Sequence, residues 1–322
     1  MNPIQPITSR QPEISVTAPI NLALERVKQV LFRPFDLGKW FVIGFCVWLA
    51  QLGEQGGGSG YYNFGNHNRS GGIKRQFESA KDYVMDNLHW IVPVVVVAVL
   101  VVLALWVLFV WLSSRGKFMF LHCVALNRAE VAVPWQKYAR EADSLWLFRL
   151  GLGVVGSLVM LPLAGLIAVL VIGMVNAGAA NAFGVTVCAV TLLLLILLGL
   201  VYFVIDKLTK DFVVPIMYRH GGKCLESWRE LRKLMSGNIP NLILYFLFQL
   251  VLVMVIGTIL FIVVLATCCV AGCLMALPYL GTVLLLPVLM FSRAYSLYYL
   301  AQFRPDFDVF TGGEVATTAP AV

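Results

Sequence analysis

Charge is what this chain has least of. Only 13% of its 322 residues are Asp, Glu, Lys or Arg, while 60% are hydrophobic. A soluble domain carries about 25% charged residues. So few charges cannot cover a water-facing surface, and with a mean hydropathy of +0.84 the solvent for most of the chain is lipid. Histidine is scarce too. His67, His89, His122 and His220 stand far apart in the sequence, and HExxH, Walker and GxSxG patterns are all missing. The glycine run at 56–60 has no lysine after it and makes no phosphate cradle. These absences leave no catalytic, cofactor-binding or metal-binding residue to name, and the expectation is a protein that is not an enzyme and needs no cofactor. Seven cysteines, an odd count mostly inside apolar runs, are not a disulfide framework. Cys268, Cys269 and Cys273 form the one dense sulfur group, but no histidine or carboxylate is near enough in sequence to complete a metal site, and cysteine packs well as a small residue.

Long apolar runs are what the chain does have. Runs of about 18 or more residues read as spanning helices. Residues 90–111 hold ten valines and no charge, 145–175 hold Arg149 alone, and 183–205 end at Asp206. Residues 241–303 carry one charge, Arg293, and are long enough for two tilted passes that turn near 273–281. A shorter run at 40–52 reaches a usable length if it extends back through Phe35 and Leu37 and Lys39 snorkels. The reading is an all-α integral membrane protein of about six transmembrane helices.

Loop charges set the orientation. Lysines and arginines number five before the first span, six after the second and seven after the fourth. The first loop holds four, and the turns after the third and fifth spans hold none. The positive-inside rule then places both termini in the cytoplasm, here of a bacterial inner membrane crossed several times. Residues 1–18 and 304–322 read as disordered cytoplasmic tails flanking one transmembrane domain at 19–303. The Gly- and Asn-rich stretch at 53–72 reads as a flexible outer loop, followed by an amphipathic outer helix at 73–89. Asn68-Arg69-Ser70 is a formal glycosylation sequon in that loop.

A helix-span-span pattern recurs. Residues 19–32 place Ile20, Leu24, Val27 and Leu31 on one helical face; 130–144 place Val131, Trp135, Tyr138 and Ala142; 223–235 place Cys224, Trp228, Leu231 and Met235. Each stretch is amphipathic with basic residues elsewhere, lies on the expected cytoplasmic side and precedes a pair of spans. Phe118 precedes Trp135 by seventeen residues and Phe212 precedes Trp228 by sixteen. This predicts three cytoplasmic interfacial helices and a threefold repeat with units near 19–111, 112–205 and 206–303. Such repeats mark many transport folds, and they also arise when a stable membrane unit is duplicated.

Ionisable residues within a membrane are candidates for function. Arg149 and Arg293 either face the bundle, as anion or headgroup contacts, or reach back to the interface. Gln249 is the main uncharged polar group of the fifth span and suits a hydrogen bond between helices. Trp135, Trp228, Arg229 and Lys233 are the candidate interfacial anchors. Pro215 breaks or kinks the helix leaving the fourth span.

Two stretches carry a resemblance: Arg33-Pro34-Phe35-Asp36-Leu37-Gly38-Lys39-Trp40, and Asp211-Phe212-Val213-Val214-Pro215-Ile216-Met217-Tyr218 followed by the Trp228 helix. They resemble uncharacterised bacterial six-span families similar to the membrane domain found beside glycerophosphodiester phosphodiesterases. In that enzyme family a separate barrel carries the catalytic residues, and no residue here matches them. The resemblance implies a stand-alone membrane module. The functional expectation is a non-enzymatic scaffold or accessory module that contacts anionic lipid, a partner protein or a second copy of itself, and not nucleic acid. The rival is a transporter or export permease for a small or lipid-like substrate, favoured by the repeats and by glycines such as Gly151, Gly153 and Gly156 within a span.

Overall fold

The computed structural model describes residues 14–52, 87–177, 182–267 and 270–310. The expected outer loop at 53–72 with its sequon, nearly all of the expected outer helix at 73–89, Cys268 and Cys269, and the outer parts of both tails lie outside the described residues. Among the described residues there are twelve α-helices and no strand. They are α1 (Ala18–Val27), α2 (Leu37–Gln51), α3 (Leu88–Leu126), α4 (Ala132–Lys137), α5 (Ala139–Ala177), α6 (Ala182–Leu208), α7 (Val214–His220), α8 (Cys224–Ser236), α9 (Ile239–Ala266), α10 (Val270–Ala276), α11 (Pro278–Leu284) and α12 (Leu286–Ala301). Two π turns, Lys28–Phe32 and Thr209–Val213, follow α1 and α6.

Four helices are long and apolar enough to cross a membrane: α3, α5, α6 with its continuation through α7, and α9. Their most apolar stretches are almost wholly unburied by the rest of the protein. In water that would be untenable; in lipid it is the expected surface, because hydrocarbon tails solvate valine and leucine as well as a core does.

The first and sixth expected spans are different. At 1.5 Å per residue α2 is about 22 Å long, short of the roughly 30 Å hydrocarbon layer. Its neighbour is also not an apolar run. Lys39 Nζ donates to Asn127 Oδ1 at 2.7 Å and Ser113 Oγ donates to the Ala50 carbonyl at 2.5 Å. These two contacts make α2 antiparallel to residues 113–127, the charged C-terminal third of α3, rather than to the charge-free stretch at 90–111. The two helices touch at Gly116, where a Cβ would sit 2.5 Å from the Ala50 nitrogen. The expected turn near 273–281 takes in the end of α10, the extended backbone at Leu277 and the start of α11, and the sixth pass after it is divided between α11 and α12. The structure therefore shows four membrane-length helices where six passes were expected.

The packed part of the molecule gathers around the polar ends of those four helices. This base comprises α1, α2, the C-terminal third of α3, α4 with the start of α5, the end of α6 through α8, the start of α9, and α11–α12. Phe118, Met119, Leu121 and Phe212 are fully buried in it. Tyr245 of α9 stacks on Tyr299 and Tyr295 of α12, with ring centroids 4.6 and 6.0 Å apart. Each hydroxyl finds an acceptor: Tyr245 on Asp211 Oδ2 at 3.0 Å, Tyr295 on the Val16 carbonyl at 2.9 Å, Tyr299 on the Asn241 carbonyl at 2.7 Å. Buried tyrosines need such partners, since an unsatisfied hydroxyl there is costly.

Several sequence expectations change here. The first amphipathic stretch buries Pro19, Ala23, Val27, Val30 and Leu31, while Leu24 is exposed. The π turn adds a residue per turn after Val27 and rotates the buried face relative to a regular helix. The second stretch does bury Tyr138 and Ala142, but it is not a separate helix: it runs through α4 into α5. The three stretches sit in different surroundings, α1 on α12, α4 on α3, and α8 on α5 and the second π turn. Phe118 and Phe212 are both buried, yet Phe118 stacks on Tyr138 and Phe212 packs on Tyr245, so the repeat does not emerge as three like units.

The inner ends of the expected tails are docked. Ser15 exchanges two hydrogen bonds with the Gln302 side chain, at 2.8 and 2.9 Å. Phe307 and Val309 are buried, and Phe310 stacks on Tyr298 at 4.3 Å. Three apolar residues within 307–310 are enough to hold that segment on the base. Pro215 lies in the first turn of α7, immediately after the π turn. It has no N–H to donate one turn back, and the helix widens there rather than breaking.

Candidate functional site

A cavity of about 220 Å³ opens where α2, α3, the second π turn and α12 meet. Val47, Ala50, Phe120 and Leu289 form its apolar wall. Lys117, Lys207, Lys210 and Arg293 bring four cations to it, and Asp211 is the one carboxylate on its lining among the described residues. Each cation arrives by a different local rule. Lys117 lies six residues beyond Trp111, on the same continuous helix, and is 8% exposed. Lys207 and Lys210 close the fourth apolar run, and each is held by a carboxylate one turn away: Lys207 to Asp211 at 3.0 Å and Lys210 to Asp206 at 2.5 Å. Arg293 Nη1 donates to the Lys210 carbonyl at 2.5 Å. This arginine therefore faces the bundle instead of reaching away from it.

Gln249 supports the site from below. It is buried and donates to Tyr245 Oη at 3.0 Å, and Tyr245 in turn donates to Asp211. The chain Gln249–Tyr245–Asp211–Lys207 ties α9 to the cavity wall. The Gln249 contact is with its own helix; the tyrosine makes the link between helices. Arg149 lies apart from the cavity. It donates to Ser113 Oγ at 3.1 Å and lines a smaller space of about 60 Å³ with Tyr202 and Asp206. The structure brings Arg293 and, at one remove, Gln249 together and leaves Arg149 in a neighbouring contact between α3, α5 and α6.

The expected interfacial anchors are divided. Trp135 is half-buried against Arg115, whose guanidinium lies 4.9 Å from its ring and 4.6 Å from that of Trp111. Asp143 completes the group, accepting from Arg115 at 3.2 Å and from the Trp111 indole at 3.1 Å. A cation between two aromatic faces is held by their negative quadrupoles. Trp228 is half-buried on Phe148, with centroids 6.0 Å apart. Arg229 and Lys233 are exposed on the outer face of α8, together with Arg232, while Cys224, Ser227 and Leu231 of the same helix are buried. Burial pushes the Cys224 thiol up to about 12.

The sequence places Lys207 and Lys210 beside Asp206 and Asp211 as solvated pairs at the interface; the structure forms both pairs but sets the two lysines on the cavity lining, while Lys117 and Arg115 read in the sequence only as loop charges. The signal for Lys117 was its place within a helical apolar pattern that continues past Trp111 through Phe118, Met119 and Phe120. His122 stands alone in the sequence, but in the structure its Nδ1 lies 3.1 Å from Tyr218 Oη, and Tyr218 stacks on Tyr138 at 4.6 Å. Among the described residues no three His, Cys, Asp or Glu side chains are grouped so as to hold a metal ion.

No curated protein and no solved structure matches this chain. One family model matches residues 15–286, from just before α1 to the start of α12, and carries no assigned function. The chain belongs to that family of unknown function, DUF7544.

Proposed function

We propose that this protein is a non-enzymatic, multi-pass module of a bacterial inner membrane, whose base rests at the cytoplasmic leaflet and engages anionic lipid. The separation of charge from hydrocarbon-like surface carries the reading. Among the described residues, nineteen lysines and arginines and eleven aspartates and glutamates lie in the base or where it joins the long helices, and the outer lengths of α3, α5, α6 and α9 have none. Arg229, Arg232 and Lys233 are exposed on α8. Each such cation near an anionic leaflet contributes about 1 kcal/mol of attraction. The positive-inside rule supports the cytoplasmic side for the base and for both termini in this reading. Kinship with the membrane domain found beside glycerophosphodiester phosphodiesterases, suggested by residues 33–40 and 211–218, is part of the same proposal. A protein partner or a second copy would meet the same basic face.

Thermal unfolding in a mild detergent tests this. Added phosphatidylglycerol should raise Tm by several degrees and added phosphatidylcholine should not, because a ligand at a hundredfold excess over its Kd stabilises by about 2.7 kcal/mol. The rise should shrink with salt as exposed charges are screened. An equal response to both lipids would overturn the reading. A retained soluble solute without any lipid-charge preference would turn it toward a permease.

A further inference from the structure

We propose that the cavity between α2, α3, the second π turn and α12 binds a phosphate group, carried either by an anionic phospholipid headgroup or by a soluble phosphate. The lipid source rests on the function proposed above; the cavity itself does not. Lys117, Lys207, Lys210 and Arg293 come from α3, α6, the second π turn and α12 and converge on one space of about 220 Å³. Cations gathered between apolar walls repel one another more strongly than they would in water, and the same walls concentrate their field on the space between them. An anion placed there meets four cations and, among the described lining residues, the single carboxylate of Asp211, so attraction outweighs repulsion.

The chemistry of the lining suits phosphate in particular. An arginine offers a planar fork to two oxygens of a tetrahedral group, and lysine ammoniums supply point charges around it. Gln51 adds an uncharged amide on the α2 side. Asp211 does not block such a ligand: its carboxylate is engaged by Lys207 and by the Tyr245 hydroxyl, both at 3.0 Å. The two lysine–aspartate pairs hold the ammoniums in place, and the ligand adds a further acceptor to them. The space is far larger than the roughly 10–15 Å³ that one water requires by the same measure, so it accommodates an oxyanion with some of its hydration. Ser292 lies at the cavity and is exposed, so the lining reaches the surface.

Depth points the same way. Lys117 lies six residues past the apolar run of α3, about 9 Å along the axis, and Lys207 and Lys210 lie about 3 and 8 Å past that of α6. The polar layer on each side of the hydrocarbon is about 5–8 Å thick. If α3 and α6 cross the bilayer, the cavity stands level with phospholipid phosphates. Arg229 and Lys233 are exposed on α8 and do not line the cavity, so they separate a diffuse surface attraction from binding in the cavity.

Native mass spectrometry of the full chain in detergent, with added phosphatidylglycerol or phosphatidylcholine, is read beside the thermal shift produced by inorganic phosphate. The wild-type protein should keep one phosphatidylglycerol. Lys117→Gln and Arg293→Gln should each lower its occupancy about tenfold or more, as expected for loss of one charged hydrogen bond. Arg293→Lys, which keeps the charge and loses the fork, should fall between the wild type and Arg293→Gln, and the double change Arg229→Gln with Lys233→Gln should weaken only the diffuse, salt-screened attraction and leave the one bound molecule in place. Where a glutamine variant at Lys117 or Arg293 fails to fold, Lys207→Gln, at the half-exposed side of the cavity, gives the same readout. Retention by the cavity variants with loss in the α8 double variant overturns the cavity and leaves the lipid reading standing. Stabilisation by inorganic phosphate that requires Lys117 and Arg293, with no lipid preference, supports the cavity and identifies a soluble phosphate as the source. No response to phosphatidylglycerol or to phosphate overturns both.

Discussion

The two ends of α3 belong to one unbroken helix and live in different solvents. Val94, Val97 and Val102 are more than half exposed, while Phe118, Met119, Leu121 and Val124, further along the same helix, are buried almost completely. The same contrast divides the whole molecule into outer helical lengths that touch little and a base that is packed. Hydrophobicity and burial part company here. The most apolar residues are the least buried, because lipid already satisfies them and gains nothing when helices associate. The residues that pack are the mixed ones: tyrosines with bonded hydroxyls, cations with carboxylates, glycine at the α2–α3 contact.

The sharpest way to break that comparison is to remove one large side chain from each region. Phe118→Ala should cost about 3–5 kcal/mol, the range for deleting a buried phenylalanine. Leu158, 73% exposed on α5, should change stability by no more than about 0.5 kcal/mol when made alanine. Reversible unfolding in mixed micelles measures both. Similar costs would mean that the outer lengths are packed against something, such as a second copy of the chain, and the division would fail.

A smaller change probes the polar links of the base. Tyr245→Phe keeps the ring stacked on Tyr299 and removes only the hydroxyl that joins Gln249 to Asp211. It leaves two buried groups short of a partner, so a loss of about 1–3 kcal/mol is expected. Comparing it with Gln249→Leu in a double-mutant cycle shows whether the two act as one chain. A neutral Tyr245→Phe would assign the stability of this region to ring packing alone.

The same division explains what could be read from the sequence. The four long helices were legible because hydrocarbon solvent leaves a plain mark: long runs without charge. The two other expected spans are not among the membrane-length helices, for an equally physical reason. Hydropathy reports how a segment is solvated, not which neighbour it packs on, so α2 and α12 look like short membrane passes although α2 runs along the charged third of α3 and α12 lies on α1. Arg293 and Gln249 could be singled out because they interrupt apolar runs. The aspartate partners of Lys207 and Lys210 could be read from their spacing, but the place of these two and of Lys117 on a cavity could not, since a lysine beyond the end of a span looks the same whether it meets water or lines a cavity. Only the π turn, the antiparallel fit of α2 at Gly116 and the stacking of α9 on α12 bring them together, and none of these has a periodic signature.

The finest test of the base concerns one thiol. Burial raises Cys224 from the ordinary 9 to about 12, and only the thiolate reacts with alkylating reagents. At pH 8 the folded protein should therefore leave Cys224 unmodified by iodoacetamide, and unfolding should expose it to rapid labelling, as peptide mapping would report. The sign of the linkage follows from the direction of the shift. The folded state holds this proton more tightly than the unfolded chain, so the contribution to stability is fully present below pH 9 and falls as pH rises from there toward 12. Cys224→Ser should blunt that alkaline decline slightly. Rapid labelling of Cys224 in the folded protein would show that α8 lifts off the base in solution, which would make its basic face a mobile contact instead of a fixed part of the packed region.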